Sequence, residues 1–251
     1  MEERFEPLTA EEIFVDVVVP VYNEENALAN NIERLDKYLA AYLPYRYRIT
    51  IAENGSTDGT PLIAAELHKR MPSVEVSLLK EKGRGRALKK VWSESDANIL
   101  AYMDVDLSTG LDAFISLIRP LIKGEASIAI GTRLGKGAEV DRSLGREIVS
   151  RIYNRILKWS LDLNVSDAQC GFKSIRADAA LLILPRISDN AWFFDTELLA
   201  KGLKRGWVIH EVPVAWKEDK DSRVRIARTA LDDLKGVARL RREFRESRLK
   251  Q

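Results

Sequence analysis

The sequence predicts an α/β fold, a mostly parallel sheet with helices on both of its faces. Short, nearly continuous apolar runs alternate along the chain with stretches of helical periodicity. Strands buried on both faces need such runs, and crossover helices cover those faces. Polar, glycine-bearing segments follow the runs, where each strand would leave the sheet and where sheets of this kind bind ligands.

Residues 13–21 are almost entirely apolar and read as the first strand; Asn23-Glu24-Glu25-Asn26 then opens a helix reaching about residue 42. Residues 47–52 form a second strand. The turn Glu53-Asn54-Gly55-Ser56-Thr57-Asp58-Gly59-Thr60-Pro61 follows, with Thr60 as cap and Pro61 in the first turn of a helix running to about residue 70. A third strand spans 74–79. Lys82-Gly83-Arg84-Gly85-Arg86 is a loop leading into a helix near 87–93, and the strand 99–103 ends at Asp104. A helix at 111–122 and a strand at 127–131 complete the regular half.

The second half is less regular. A helix is expected over 144–161, with Ile148, Val149, Ile152, Tyr153, Ile156 and Leu157 at helical spacing among Arg146, Arg151, Arg155 and Lys158. Core packing explains such a stripe, and a basic amphipathic helix is also the pattern of an interfacial segment. Further on, 196–204 reads as a helix, 207–214 as a strand and 226–242 as a terminal helix.

A chain of 251 residues is expected to form one domain, or one with a small appendage. The single Cys170 excludes an internal disulfide and offers no zinc spacing, which suits a reducing cytosolic setting. No stretch approaches the ~18 apolar residues of a membrane span, and the opening residues lack a secretory signal pattern. Forty basic against 38 acidic residues leave a net charge of only +2. That balance, without aromatic–basic interleaving, argues against nucleic acid as a partner. Charge is uneven, however: Arg239, Arg241, Arg242, Arg245, Arg248 and Lys250 face only Glu243 and Glu246 over the last thirteen residues. That segment is either a solvated helix end or a contact with an anionic membrane surface.

Asp104-Val105-Asp106 carries the chemistry. Carboxylates at i and i+2 on an extended segment can reach one ion together, and hard oxygen ligands suit Mg2+ or Mn2+. Alone, the triplet is a weak signal, because Asp pairs that cap a helix or solvate a loop are far commoner. Cations surround it in the sequence plan: Lys82, Arg84, Arg86, Arg133, Arg146, Arg223 and Arg225, with Gly83 and Gly85 permitting close backbone approach. Cations, glycines and a metal-binding pair suit a diphosphate. The glycines do not fit G-x-G-x-x-G, and Lys82 is not in a Walker sequence.

Together the motifs resemble a known family. Val18-Val19-Pro20-Val21-Tyr22-Asn23-Glu24-Glu25 resembles the opening of family-two inverting glycosyltransferases of the GT-A fold, Gly55-Ser56-Thr57-Asp58-Gly59-Thr60 their G-S-x-D-G-T turn, and Asp104-Val105-Asp106 their D-x-D. Gly131-Thr132-Arg133, Arg146 to Arg151 and Asp167-Ala168-Gln169-Cys170-Gly171-Phe172-Lys173 are similar to the polyprenyl (dolichyl) phosphate mannosyl- and glucosyltransferases within that family. Asp221 to Arg225 resembles their mobile donor loop.

The resemblance implies a GT-A fold with a Rossmann-like sheet, a catalytic domain over 1–225 and a basic C-terminal helix over 226–251. It implies inverting transfer of glucose or mannose from a nucleotide sugar (UDP-glucose or GDP-mannose) to polyprenyl phosphate, at the cytosolic face of a membrane. Pro20, Tyr22, Glu24, Ala52 and Asn54 would hold the nucleoside. Arg84, Asp104, Val105, Asp106, Arg223 and Arg225 would complete the donor site. Asp104, Asp106 and Ser108 would contact the Mg2+ or Mn2+, and Arg133, Arg146 and Ser150 the acceptor phosphate. Glu53-Asn54 stands where the family usually has paired aspartates, and Ser108 where the mannose enzymes often have Gln, so the donor nucleotide stays open.

Other readings are a hydroxyl acceptor, which would need Asp195 or Glu197 as base, and a non-catalytic nucleotide-sugar-binding partner of a membrane protein. Acids at 195 and 197 also suit a plain helix N-terminus. Residues 217–225 have almost nothing apolar before Val224, so this loop is expected to order on binding donor.

Overall fold

Nearly continuous valine in β1 (Phe14–Val21) places that strand in the middle of the main sheet, where both of its faces are buried. The computed structural model describes residues 5–11, 13–141, 144–217 and 226–249, with side chains for all of them except 141, 144, 146, 226–231 and 247–249. Beside β1 lie β2 (Arg46–Glu53) and, beyond it, β3 (Val74–Leu78), all parallel. On its other side is β4 (Ile99–Met103), also parallel, with Val18 opposite Tyr102. The sheet then continues through β7 (Phe172–Arg176) and β5 (Ile128–Thr132) to β8 (Ile209–Pro213). Two short strands, β6 (Glu139–Asp141) and β9 (Ala215–Lys217), pair in parallel apart from it.

Alternation along the strands feeds two apolar layers. Val15, Val17, Val19 and Val21 meet α1 (Leu28–Tyr42), α2 (Thr60–Arg70) and α4 (Phe114–Ile122) on one face. Phe14, Val18, Leu100 and Tyr102 meet the other layer, built from α3 (Arg84–Glu94), α5 (Leu144–Leu161), α6 (Ala177–Ile183), α7 (Phe194–Lys204) and α8 (Ile226–Leu249). The expected α/β sheet with helices on both faces is therefore present.

Four details depart from the sequence reading. β7 runs antiparallel between β4 and β5 and was not foreseen. Its Lys173, Ser174 and Arg176 are all buried, so no apolar run announces it. The helix after β1 starts at Leu28 rather than Asn23, because Asn23 takes a left-handed φ of 57° and the next residues bond to the loop after β2. Thr60 does not cap α2: its Oγ1 accepts from the Glu24 N–H at 2.8 Å, while Asp58 accepts from the Thr60 N–H at 3.0 Å. Gly83 and Gly85 approach protein and not open space, since Cβ atoms there would run into the Asn190 carbonyl and Phe194. Freed from the loop, Arg84 becomes the first residue of α3.

The candidate active site

Strand order reverses direction between β1 and β4, and the loops after β1, β2 and β4 open at that switch point, where α/β sheets bind ligands. The first two loops are zipped together. Asn23 N–H donates to Ser56 Oγ at 3.0 Å, Thr57 N–H to Asn23 Oδ1 at 2.8 Å, and Gly59 N–H to Glu25 Oε2 at 2.8 Å. Glu53 accepts from the Ser56 N–H at 2.5 Å, so this buried carboxylate holds the turn.

Inside that frame Pro20 pairs in register with Ala52, and Tyr22 is half-buried. Lys82 Nζ lies 3.5 Å from the centre of the Tyr22 ring, and burial pushes its pKa down. Asn54 is 4% exposed, and its Oδ1 has no hydrogen-bond partner. Glu24 is half-buried in the same loop.

The Asp104 carboxylate emerges at the end of β4. Its N–H donates to the Gly171 carbonyl at 3.2 Å, and any Cβ at Gly171 would fall on the Asp104 carboxylate, which explains the glycine in that motif. Leu107, in the left-handed region at φ 47°, turns the chain back so that the Asp106 carboxylate accepts from the Ser108 N–H at 2.9 Å. Asp104, Asp106 and Ser108 are all partly exposed, whereas Val105 packs its side chain into the core. Among the described residues no group of three or more His, Cys, Asp or Glu surrounds a point, so a cation here would draw its other ligands from bound substrate.

Behind Asp104 sits a buried cluster. Arg84 Nη2 is 3.2 Å from Asp104 and 3.8 Å from Asp195. Its guanidinium lies between the rings of Tyr102 and Trp192, each within 5 Å. Burial opposes its charge, but Asp104, Tyr102 and Asp195 hold its pKa above the ordinary arginine value. Arg84 Nε and Nη2 are nevertheless buried without a hydrogen-bond acceptor. Asp195 accepts from the Tyr102 hydroxyl and pairs with Lys173 Nζ at 3.1 Å; Lys173 also donates to the Cys170 carbonyl at 2.5 Å. Desolvation, with Asp106 and Asp195 nearby, raises the Asp104 pKa against the pull of Arg84.

Arg133, at the end of β5, is forked onto Asp167 at 2.7 and 2.9 Å and lies over the Trp216 ring. Ser150 is half-buried on α5, which also carries Arg146. Arg223 and Arg225 lie outside the described residues, as does the loop expected to close over donor, apart from Lys217. Glu197 is no free base: burial opposes its ionisation, but Arg239, Lys201 and the Ser188 and Asp189 N–H groups outweigh it and lower its pKa to about 2. Asp195 and Glu197 do stand in the first turn of α7, yet Asp195 pairs with Lys173 of β7, and Glu197 is shared by Arg239 of α8, Lys201 of α7 and the Ser188 and Asp189 N–H groups.

Sequence reasoning missed Tyr102, Asp167, Lys173 and Trp192. The signal for Tyr102 was its i, i+2 relation to Asp104, which puts both on one face of β4. A Lys173 opposite Tyr102 in the strand register followed only from knowing β7.

A family model described as "Glycosyl transferase family 2" matches residues 16–182, and the chain belongs to that family. It is 32% identical over 232 residues to the glycosyltransferase AglD of Haloferax volcanii, covering 92% of this chain but only 37% of that protein. It is 27% identical over 242 residues to the dolichyl-phosphate beta-glucosyltransferase of Dictyostelium discoideum, covering 91% of this chain and 74% of that one. Among solved structures, mannosyl-3-phosphoglycerate synthase from Rubrobacter xylanophilus has the same fold, with a TM-score of 0.71 at 16% identity over 95% of this chain and 76% of that one. So does glucosyl-3-phosphoglycerate synthase from Mycobacterium tuberculosis, solved with Mn2+, uridine diphosphate and glucosyl-3-phosphoglycerate; its TM-score is 0.61 at 18% identity, over 90% and 76% of the two chains.

Proposed function

We propose that this chain is an inverting glucosyltransferase that moves glucose from UDP-glucose to the phosphate of a polyprenyl lipid of the dolichyl kind. The observation that carries the reading is Arg84: a buried guanidinium 3.2 Å from the half-exposed Asp104 carboxylate, with no well-aligned hydrogen bond at Nε or Nη2, at the ligand-binding end of the sheet. Buried donors held by an ion pair without aligned hydrogen bonds are under-satisfied, and diphosphate oxygens would supply the missing acceptors. The dolichyl-phosphate beta-glucosyltransferase relative supports glucose and the lipid acceptor. The neighbour solved with Mn2+ and uridine diphosphate supports the donor only by analogy of fold.

Asp104 and Asp106, with Ser108 beside them, would hold the Mg2+ or Mn2+. These donors fit it, being hard oxygens with open positions for phosphate, and the ion would offset charge building on the departing diphosphate. Pro20, Tyr22, Glu24, Ala52 and Asn54 would receive the nucleoside, where the unpartnered Asn54 oxygen can accept from a base N–H. Arg84, the Val105 backbone, Arg223 and Arg225 would bind the diphosphate.

Arg133, Arg146 and Ser150 would orient the lipid phosphate. That acceptor is already an anion, so the chemistry needs little general base. Position and charge then do most of the work. A hydroxyl acceptor would need a base, and Asp195 and Glu197 are both tied up in buried ion pairs. A purely binding role leaves the Asp104–Asp106 pair without a use.

The test is incubation with radiolabelled UDP-glucose or GDP-mannose, Mn2+ and a short polyprenyl phosphate, followed by extraction into organic solvent. Label from UDP-glucose should enter the organic phase. Label appearing only on water-soluble products would overturn the acceptor, and label from GDP-mannose alone would overturn the donor.

A further inference from the structure

Helix α5 has two faces of different fates. Tyr153, Leu157 and Leu161 fill the core, and Tyr153 also reaches Thr196 Oγ1 at 3.1 Å, one residue from Asp195. Asn154 on the same side accepts from the Ala168 N–H, bracing the 167–173 turn that supports Asp104 and Arg133. The outer face is apolar too, yet Ile148, Ile152 and Trp159 are 57%, 56% and 85% exposed. At about 100° per residue, these three and Arg155 project within roughly 60° of one another. Arg151 and Lys158 flank them, and the one acid of the helix, Glu147, is neutralised by Arg151 at 2.7 Å. Alongside, Ile156 faces Leu234 and Val237 of α8 in a groove rimmed by Arg241 and Arg245.

We infer that the outer face of α5 docks on an anionic lipid bilayer, lying in the interface with Ile148, Ile152 and Trp159 buried among the headgroups. Charge complementarity commits the face to that occupant: exposed aliphatic residues and a Trp within a basic surface match the composition of an interfacial helix. A lone basic tail would bind by charge only. The inference rests on the lipid-phosphate reading for its purpose. Ser150, proposed to contact the lipid phosphate, lies on the same helix, so a bilayer on this face would bring headgroup phosphates to the helix that carries part of the proposed acceptor site.

Flotation of the full chain with vesicles of zwitterionic and anionic phospholipid, 3:1, tests this. The unsubstituted chain should float, and Ile148→Gln/Ile152→Gln/Trp159→Gln together should lower partitioning at least tenfold with an unchanged circular dichroism spectrum and melting temperature. Arg241→Gln/Arg245→Gln should lower it less. Equal flotation of the triple variant and the unsubstituted chain overturns the docking face, as does failure of the unsubstituted chain to float. So does sedimentation showing that the face instead joins two copies of the chain, with dimers lost in the triple variant. Turnover on a short, vesicle-free polyprenyl phosphate should be the same for both proteins. Face-dependent flotation without any such turnover would leave docking standing and sink the functional reading.

Discussion

Asp195 and Asp106 show how differently two carboxylates of one cleft are held. Asp195 is 2% exposed and shares Lys173, Tyr102 and Arg84, so its charge is part of a buried cluster. Removing one member of a buried ion pair typically costs about 3–5 kcal/mol, because the partner is left uncompensated. Asp195→Ala should therefore lower unfolding stability by about that amount in urea titrations. Adding Lys173→Met should recover much of the stability but not the turnover, since Arg84 would still lack its second anchor. Asp106 lies at a strand end and is partly exposed. Asp106→Ala is expected to abolish turnover while changing stability by no more than about 0.5 kcal/mol; near-normal turnover would remove the proposed metal site. The strand-end and loop charges Asp104, Asp106 and Arg84 were legible in the sequence. The buried partners were not, because a lysine inside a strand looks like a surface residue until its ion pair is known.

At the scale of elements, β7 was missed, whereas α8 was foreseen as a terminal helix but not for what it packs against. β7 hides because its polar residues are satisfied by tertiary partners: Arg176, for example, donates to the Leu121 carbonyl at 2.9 Å and pairs with Asp178. The basic charges from Arg239 onward read as a solvated helix end or membrane contact, yet Val237 and Leu240 sit in the core, and Arg239 is forked onto the buried Glu197 at 2.7 and 3.1 Å. A chain cut at Val237 would lose those anchors, so membrane binding is better probed by substitution. The same helix carries a titratable buried acid. Burial pushes the Asp233 pKa up to about 7, against hydrogen bonds from Tyr153 and Gln169. An unfolded Asp titrates near 3.9, so between about pH 4 and pH 7 the folded chain holds a proton that the unfolded chain has released. Stability should fall as pH rises through that window. Asp233→Asn keeps the size and removes the titration. Relative to the unsubstituted chain it should gain on the order of 2 kcal/mol between pH 5 and pH 8 in urea unfolding. A constant difference across that range would show that Asp233 is ionised throughout.

For the whole molecule, alternation of apolar strands and amphipathic helices was enough to give the sheet and both its faces, since burial on two sides leaves an unmistakable pattern in β1, β2 and β4. The same rule points to the candidate site, because polar loops gather at the ends of those strands. What the pattern could not supply is which ligand the finished cleft prefers, and that is testable as global stability. A ligand that binds only the folded state stabilises by about 2.7 kcal/mol at a hundred times its Kd. In a chain of this length each kcal/mol is worth roughly 2–4 °C of melting temperature, so saturating uridine diphosphate with Mn2+ should raise it by roughly 5–10 °C. Most of that shift should vanish with a chelator and in Asp106→Ala, because Asp104 and Asp106 would hold the proposed ion that offsets the diphosphate charge. Guanosine diphosphate with Mn2+ should give the smaller shift. A larger one would mean that the residues proposed for the nucleoside, Tyr22 and Asn54 among them, read guanine, and an undiminished shift in chelator would mean that the arginines hold the diphosphate without an ion.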